Sequence, residues 1–77
     1  MEADMERAFE HRGDVCTIEA RLEAGVWHVE ARRGVKLLCE ADQLRDAERF
    51  EAEACGLADP LRALLDAYEN RIRTGDL

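Results

Sequence analysis

Asp14-Val-Cys-Thr-Ile-Glu-Ala-Arg-Leu-Glu-Ala-Gly-Val-Trp-His-Val-Glu-Ala31 places an apolar residue at every second position on either side of one break. Cys16, Ile18, Ala20 and Leu22 alternate with Thr17, Glu19, Arg21 and Glu23, and Trp27, Val29 and Ala31 alternate with His28 and Glu30. Side chains of a strand point to opposite faces in turn, so a period of two predicts two strands, each buried on one face, over residues 15–22 and 26–32. Glu23-Ala24-Gly25 forms the turn between them, Gly25 being free to take a positive φ.

Toward the C-terminus, Arg32-Arg33-Gly34 reads as a second tight turn. Val35, Leu37 and Cys39 then extend the buried row along a third strand, 35–41, with Lys36, Leu38 and Glu40 on the other face. A meander with one apolar face must bury that face against another layer. Two helices are available. Behind Asp42 as N-cap, Leu44, Ala47, Phe50, Ala54 and Leu57 recur every three or four residues, predicting a helix over 43–55. Asp59-Pro60 opens another over 60–73: the carboxylate caps free N–H groups and proline sits where its missing donor costs nothing. Leu61, Leu64, Leu65, Tyr68 and Ile72 trace its apolar stripe.

Toward the N-terminus, Met1, Met5, Ala8, Phe9 and Arg12 fall on one face of a short helix, 2–12, that Gly13 can end. The expected architecture is a single α+β domain over residues 1–77. Its element order is α-β-β-β-α-α, a three-stranded antiparallel meander packed against C-terminal helices. Ile18, Trp27, Leu37, Phe50 and Leu64 are expected to share one interior.

With 77 residues and 47% apolar content, the chain suffices for one hydrophobic core. No apolar run reaches the roughly 18 residues of a membrane span, and the acidic opening Met1-Glu2-Ala3-Asp4 lacks the basic-then-apolar pattern of an export signal. A cytoplasmic protein is expected. Eighteen acidic residues against eleven basic ones give a net charge of −7, which opposes direct binding to nucleic acid. The one compact basic cluster, Arg32, Arg33 and Lys36, reads as a solvated hairpin end.

Catalysis needs a nucleophile or base, an orienting group and a stabiliser of developing charge in one place. The chain has no serine, no Gly-rich phosphate loop and no Cys-x-x-Cys or short Cys/His spacing. Cys16, Cys39 and Cys55 read as small buried hydrophobic residues in a reducing compartment. Neither an enzyme nor a cofactor or metal is expected. His28 beside Glu30 on the polar side of the middle strand is the one remote candidate for an acid/base pair or weak metal site, and reads more simply as a solvated cross-strand pair.

Two surfaces remain as candidates for a partner. The outer face of the sheet, where Val15, Val26 and Leu38 lie among Thr17, Glu19, Arg21, His28 and Glu30, is more apolar than exposure alone predicts and suits a protein interface. The helix after Asp42 carries Asp46, Glu48, Glu51 and Glu53, an array that can imitate a nucleic-acid backbone in another protein's basic groove. Asp42/Arg45, Asp46/Arg49 and Arg49/Glu53 also sit at helix-neighbour spacing, as on any solvated helix. A free strand edge offers homodimer formation as well.

Gly25-Val26-Trp27 opening a strand, a further strand, then a helix with Leu44, Ala47, Glu53 and Ala54 resembles the HicB-type antitoxin domain over residues 25–54. That family's Pro-Asp-Leu-Pro-Gly stretch before the helix has no counterpart here. The resemblance implies a partner-neutralising module. The expected function is thus a non-enzymatic protein-binding module, an inhibitor of antitoxin or phage anti-defence type such as an anti-CRISPR or DNA mimic. The alternative is a self-associating structural or regulatory domain.

Overall fold

A computed structural model describes residues 4–39 and 42–76. The chain runs β1 (Asp4–His11), β2 (Asp14–Glu23), β3 (Val26–Arg33), β4 (Lys36–Leu37), β5 (Asp42–Arg45), α1 (Asp46–Ala54) and α2 (Pro60–Thr74). All strand pairings are antiparallel, in the order β1-β2-β3, with β4 and β5 sharing the far edge of β3. The fold is α+β, a sheet with two helices.

The central pair forms as its alternation dictates. Ile18 faces Ala31, Ala20 faces Val29 and Leu22 faces Trp27, so the apolar residues of both strands share one face. The turn is tighter than a loop. Ala24 and Gly25 both have positive φ, 51° and 76°, the type I′ arrangement whose twist matches that of the strands it joins.

Where a helix is expected over 2–12, the described residues 4–11 form β1. The segment satisfies a period of two as well as a helical one: Met5, Arg7, Phe9 and His11 lie on one face and Asp4, Glu6, Ala8 and Glu10 on the other. The choice falls to partners. Arg12 and Gly13, with φ of 53° and 83°, make another two-residue turn that lays β1 along all of the strongly alternating half of β2, Asp4 opposite Arg21 through His11 opposite Asp14. Eight ladder positions outweigh the propensity of a short terminal helix, which is marginal in water. Met1 lies outside the described residues.

The third strand is displaced by one residue from its expected register. The turn is Gly34-Val35, with Gly34 at φ 58° between Arg33 and Lys36, as a type II′ hairpin requires. One residue of shift exchanges the faces of a strand. Leu37 therefore turns outward and is 45% exposed, Val35 sits at the turn 97% exposed, and Leu38 packs against the core. Between β4 and β5 the register slips by a further two residues: Arg32 faces Leu37, whereas Trp27 faces Leu44. An even slip preserves the faces, so Leu44 also points inward. The expected continuous strand 35–41 is thus two short pieces, and Glu40 lies outside the described residues.

The core consists of Cys16, Ile18 and Ala20 from β2, Trp27, Val29 and Ala31 from β3, and Leu61, Leu65, Tyr68 and Ile72 from α2. Each large side chain buried there contributes roughly 1.5–3 kcal/mol. Phe9, Leu22, Leu38, Leu44 and Leu64 pack around it. Helix α2 starts where Asp59-Pro60 directs, Asp59 accepting from Leu61 N–H at 3.0 Å, and ends at Gly75, whose φ of 87° lets Asp76 N–H return to the Arg71 carbonyl at 2.8 Å.

Helix α1 departs most from expectation. It begins at Asp46 rather than 43, because Asp42 to Arg45 extend the sheet and Asp42 is no helix cap. No residue of α1 is buried. Ala47, Phe50, Ala54 and Leu57 face solvent, with Phe50 66% and Leu57 68% exposed, so of the five residues expected to share an interior Ile18, Trp27 and Leu64 do and Leu37 and Phe50 do not. Leu61, Leu65, Tyr68 and Ile72 make a larger apolar surface than one phenylalanine among alanines. Helix α2 takes the sheet on that ground.

Candidate interaction surface

Charged groups anchor α1 to the inner side of the sheet. Trp27 is buried on β3 with its indole N–H free to donate, and Asp46 at the start of α1 accepts it at 2.8 Å. One turn on, the Arg49 guanidinium lies over the Trp27 ring, 5.2 Å from its centroid. Arg49 also grips Asp59 with two bonds of 3.1 and 2.8 Å, and Asp59 caps α2. Sheet, α1 and α2 thus meet at one arginine. The Arg49 bond is the main cause holding the Asp59 carboxyl below its usual range, and Asp59 in return raises the Arg49 guanidinium.

Occupying the inner side of α1 with ions leaves its apolar stripe outside. Gly56, at φ 71°, lets Leu57 N–H bond back to the Ala52 carbonyl at 2.8 Å, closing α1 and fixing Leu57 beside it. Leu57 stands between two depressions. One, of about 580 Å³, is lined by Phe50, Leu57, Asp46, Glu53, Asp59 and Arg49; the other, of about 410 Å³, includes Leu44, Glu51, Ala52 and Pro60. Apolar anchors ringed by acids define this surface, since Arg49, its cation, is already engaged by Asp59 and Asp46.

The residues expected at a partner surface fall into separate groups. Glu19, Arg21, His28 and Glu30 do share the outer face, Glu19 opposite Glu30 and Arg21 opposite His28. That face carries no helix among the described residues, and its charges are partly internal: Arg21 binds Glu19 at 3.1 Å and Arg32 binds Glu30 at 3.2 Å. His28 stands in register between Arg21 and Gln43. Leu38, expected on the same face, is inside because of the one-residue shift. Asp46 and Glu48 serve the fold, the first on Trp27 and the second accepting from Arg45 N–H at 3.1 Å, which leaves Glu51 and Glu53 exposed.

Phe50 and Leu57 were not among the expected surface residues. The hydrophobic period marks Phe50 and Leu57 as apolar positions but does not say which way they face; the bonds of Asp46 to Trp27 and of Arg49 to Asp59 turn that side outward. Elsewhere, Tyr68 is buried beneath β5 and donates its hydroxyl to Asp42; burial first, then this bond, drives its phenol far above the usual range, with Cys39 adjacent. Cys16, Cys39 and Cys55 are free thiols; Cys16 is buried and Cys39 half-buried, but Cys55, expected inside, is exposed because it follows the outward end of α1. Among the described residues no group of three His, Cys, Asp or Glu side chains is placed to hold a metal ion, and no helix is long and apolar enough to cross a membrane.

No protein-family model, curated protein or solved structure matches this chain.

Proposed function

We propose that the protein is a small acidic, non-enzymatic module that binds another protein through the outward apolar stripe of α1. The observation that carries this reading is the pair Phe50, on a helix with no buried residue, and Leu57, fixed just beyond its end, each about two-thirds exposed. Apolar side chains held rigidly in the open, with polar groups around them, are what a desolvated contact needs at its centre. Glu51, Glu53 and the net charge of −7 favour a partner segment that is basic as well as apolar. An inhibitory role, of antitoxin or phage anti-defence type, is the specific form this takes; the acidic charge supports it, and the HicB-type resemblance implies a partner-neutralising module. With Asp46 and Glu48 engaged internally, apolar anchoring rather than a regular carboxylate array supplies the affinity.

Affinity capture from the native host with wild type and Phe50→Asp, each checked by thermal melting, tests the proposal. A protein retained by wild type and released by Phe50→Asp, at equal stability, is the expected result. Equal retention by both variants, or by neither, contradicts it.

A further inference from the structure

We propose that the free edge of β1 receives an extended, basic segment of a different protein as an added strand, a second surface at the opposite side of the sheet from α1. The two edges of the sheet are built differently. On one, β4 and β5 are two and four residues long and out of register with each other, a broken edge that resists further pairing. On the other, β1 keeps one unbroken register with β2 for eight residues, contains no proline, and has no strand on its free side among the described residues. Its outward backbone groups are a template for another strand.

Charge selects the occupant. The inner side of β1 is occupied: Arg7 reaches across to Asp66 at 2.6 Å and Glu69 at 3.4 Å on α2, and Phe9 lies beneath the Arg73 guanidinium, 4.6 Å from its centroid. The outer side presents Asp4, Glu6 and Glu10, none of which joins an ion pair among the described residues; Glu6 stands opposite Glu19 and Glu10 opposite Val15.

A second copy meets the same acids. Two β1 strands related by a twofold axis pair even-numbered with even-numbered residues, and two registers join seven residues. One sets Asp4 against Glu10 of the second copy and leaves Arg7 against Arg7. The other sets Glu6 against Glu10 in both directions. Like charges directly opposed are destabilising, so the edge refuses itself. A strand with Lys or Arg at alternate positions meets Asp4, Glu6 and Glu10 with opposite charge while its backbone completes the ladder.

The test uses capped Lys-Val-Lys-Val-Lys-Val-Lys and Glu-Val-Glu-Val-Glu-Val-Glu peptides, read by amide NMR shifts and hydrogen exchange on the whole chain. The expected result is that the lysine peptide shifts and protects β1 amides, that the glutamate peptide does so at least tenfold more weakly, and that Glu6→Lys/Glu10→Lys reverses the preference. Phe50→Asp should leave this binding unchanged, which separates it from the α1 surface. Sedimentation gives an independent measure: Glu6→Lys alone should create a dimer, because the introduced lysine then faces Glu10 of the second copy twice. No β1 shift at millimolar lysine peptide, equal binding of both peptides, or a wild-type dimer with protected β1 amides would overturn the proposal.

Discussion

Ala24 holds a φ of 51°, a left-handed conformation that costs a non-glycine residue about 1 kcal/mol. Asparagine tolerates that conformation and Asn-Gly is the favoured pair for a type I′ turn, so Ala24→Asn should stabilise the protein by roughly 0.5–1 kcal/mol. Urea unfolding checks this, with an unchanged m-value. A second single-residue effect concerns Tyr68, the chain's one tyrosine. Its phenol is raised by burial and by the bond to Asp42, so the folded state keeps the proton while the unfolded state loses it near pH 10. The folded form then binds more protons, and stability must fall as pH rises above about 10, approaching ~1.4 kcal/mol per unit for this one group. Unfolding curves at pH 9, 10 and 11 should show the decline, and Tyr68→Phe should remove that part of it.

Among the elements, α2 is the one whose local signals and tertiary role agree. Asp59 caps it and also ties it to Arg49, and its carboxyl is lowered in the folded state mainly by that bond. The contribution is complete above the unfolded carboxylate pKa of about 3.9 and is lost as pH falls through the lower folded value. Since both partners are about one-third exposed, the ion pair itself adds less than about 1 kcal/mol, and the cap about as much again. Asp59→Ala should therefore cost about 1–2 kcal/mol, whereas Asp59→Asn keeps the cap and loses only the acid-sensitive part. Thermal melts at pH 3 and pH 7 distinguish the two. The same agreement explains what the sequence made legible. Strands β2 and β3 and helix α2 carry alternation or stripe, turn residues and caps that all point one way. Residues 4–11 fit both periods, and the ladder with β2, a long-range partner, decided between them. The Gly34-Val35 turn turned on which glycine-containing pair closed the hairpin, a one-residue choice that moved Leu38 inside and Leu37 out. Of the stripe expected on one helix, only Ala47, Phe50 and Ala54 lie on α1, Leu44 belonging to β5, and they face outward because the ties of Asp46 and Arg49 to Trp27 and Asp59 are invisible to hydrophobic period.

For the molecule as a whole, the consequence is a division of labour between two helices of similar amphipathicity. Helix α2 seals the sheet; α1 is fixed by ions and holds its apolar residues outward, and on the proposed reading the −7 charge selects a basic partner. Stability and binding should therefore separate by helix. Leu65→Ala removes a buried side chain from the core and should cost about 2–5 kcal/mol. Denaturant unfolding of Phe50→Ala beside Leu65→Ala is the most direct test: an outward Phe50 predicts a change within about 0.5 kcal/mol of wild type, and a loss of 2 kcal/mol or more, the scale of a core deletion, would place Phe50 in the interior and remove the docking surface.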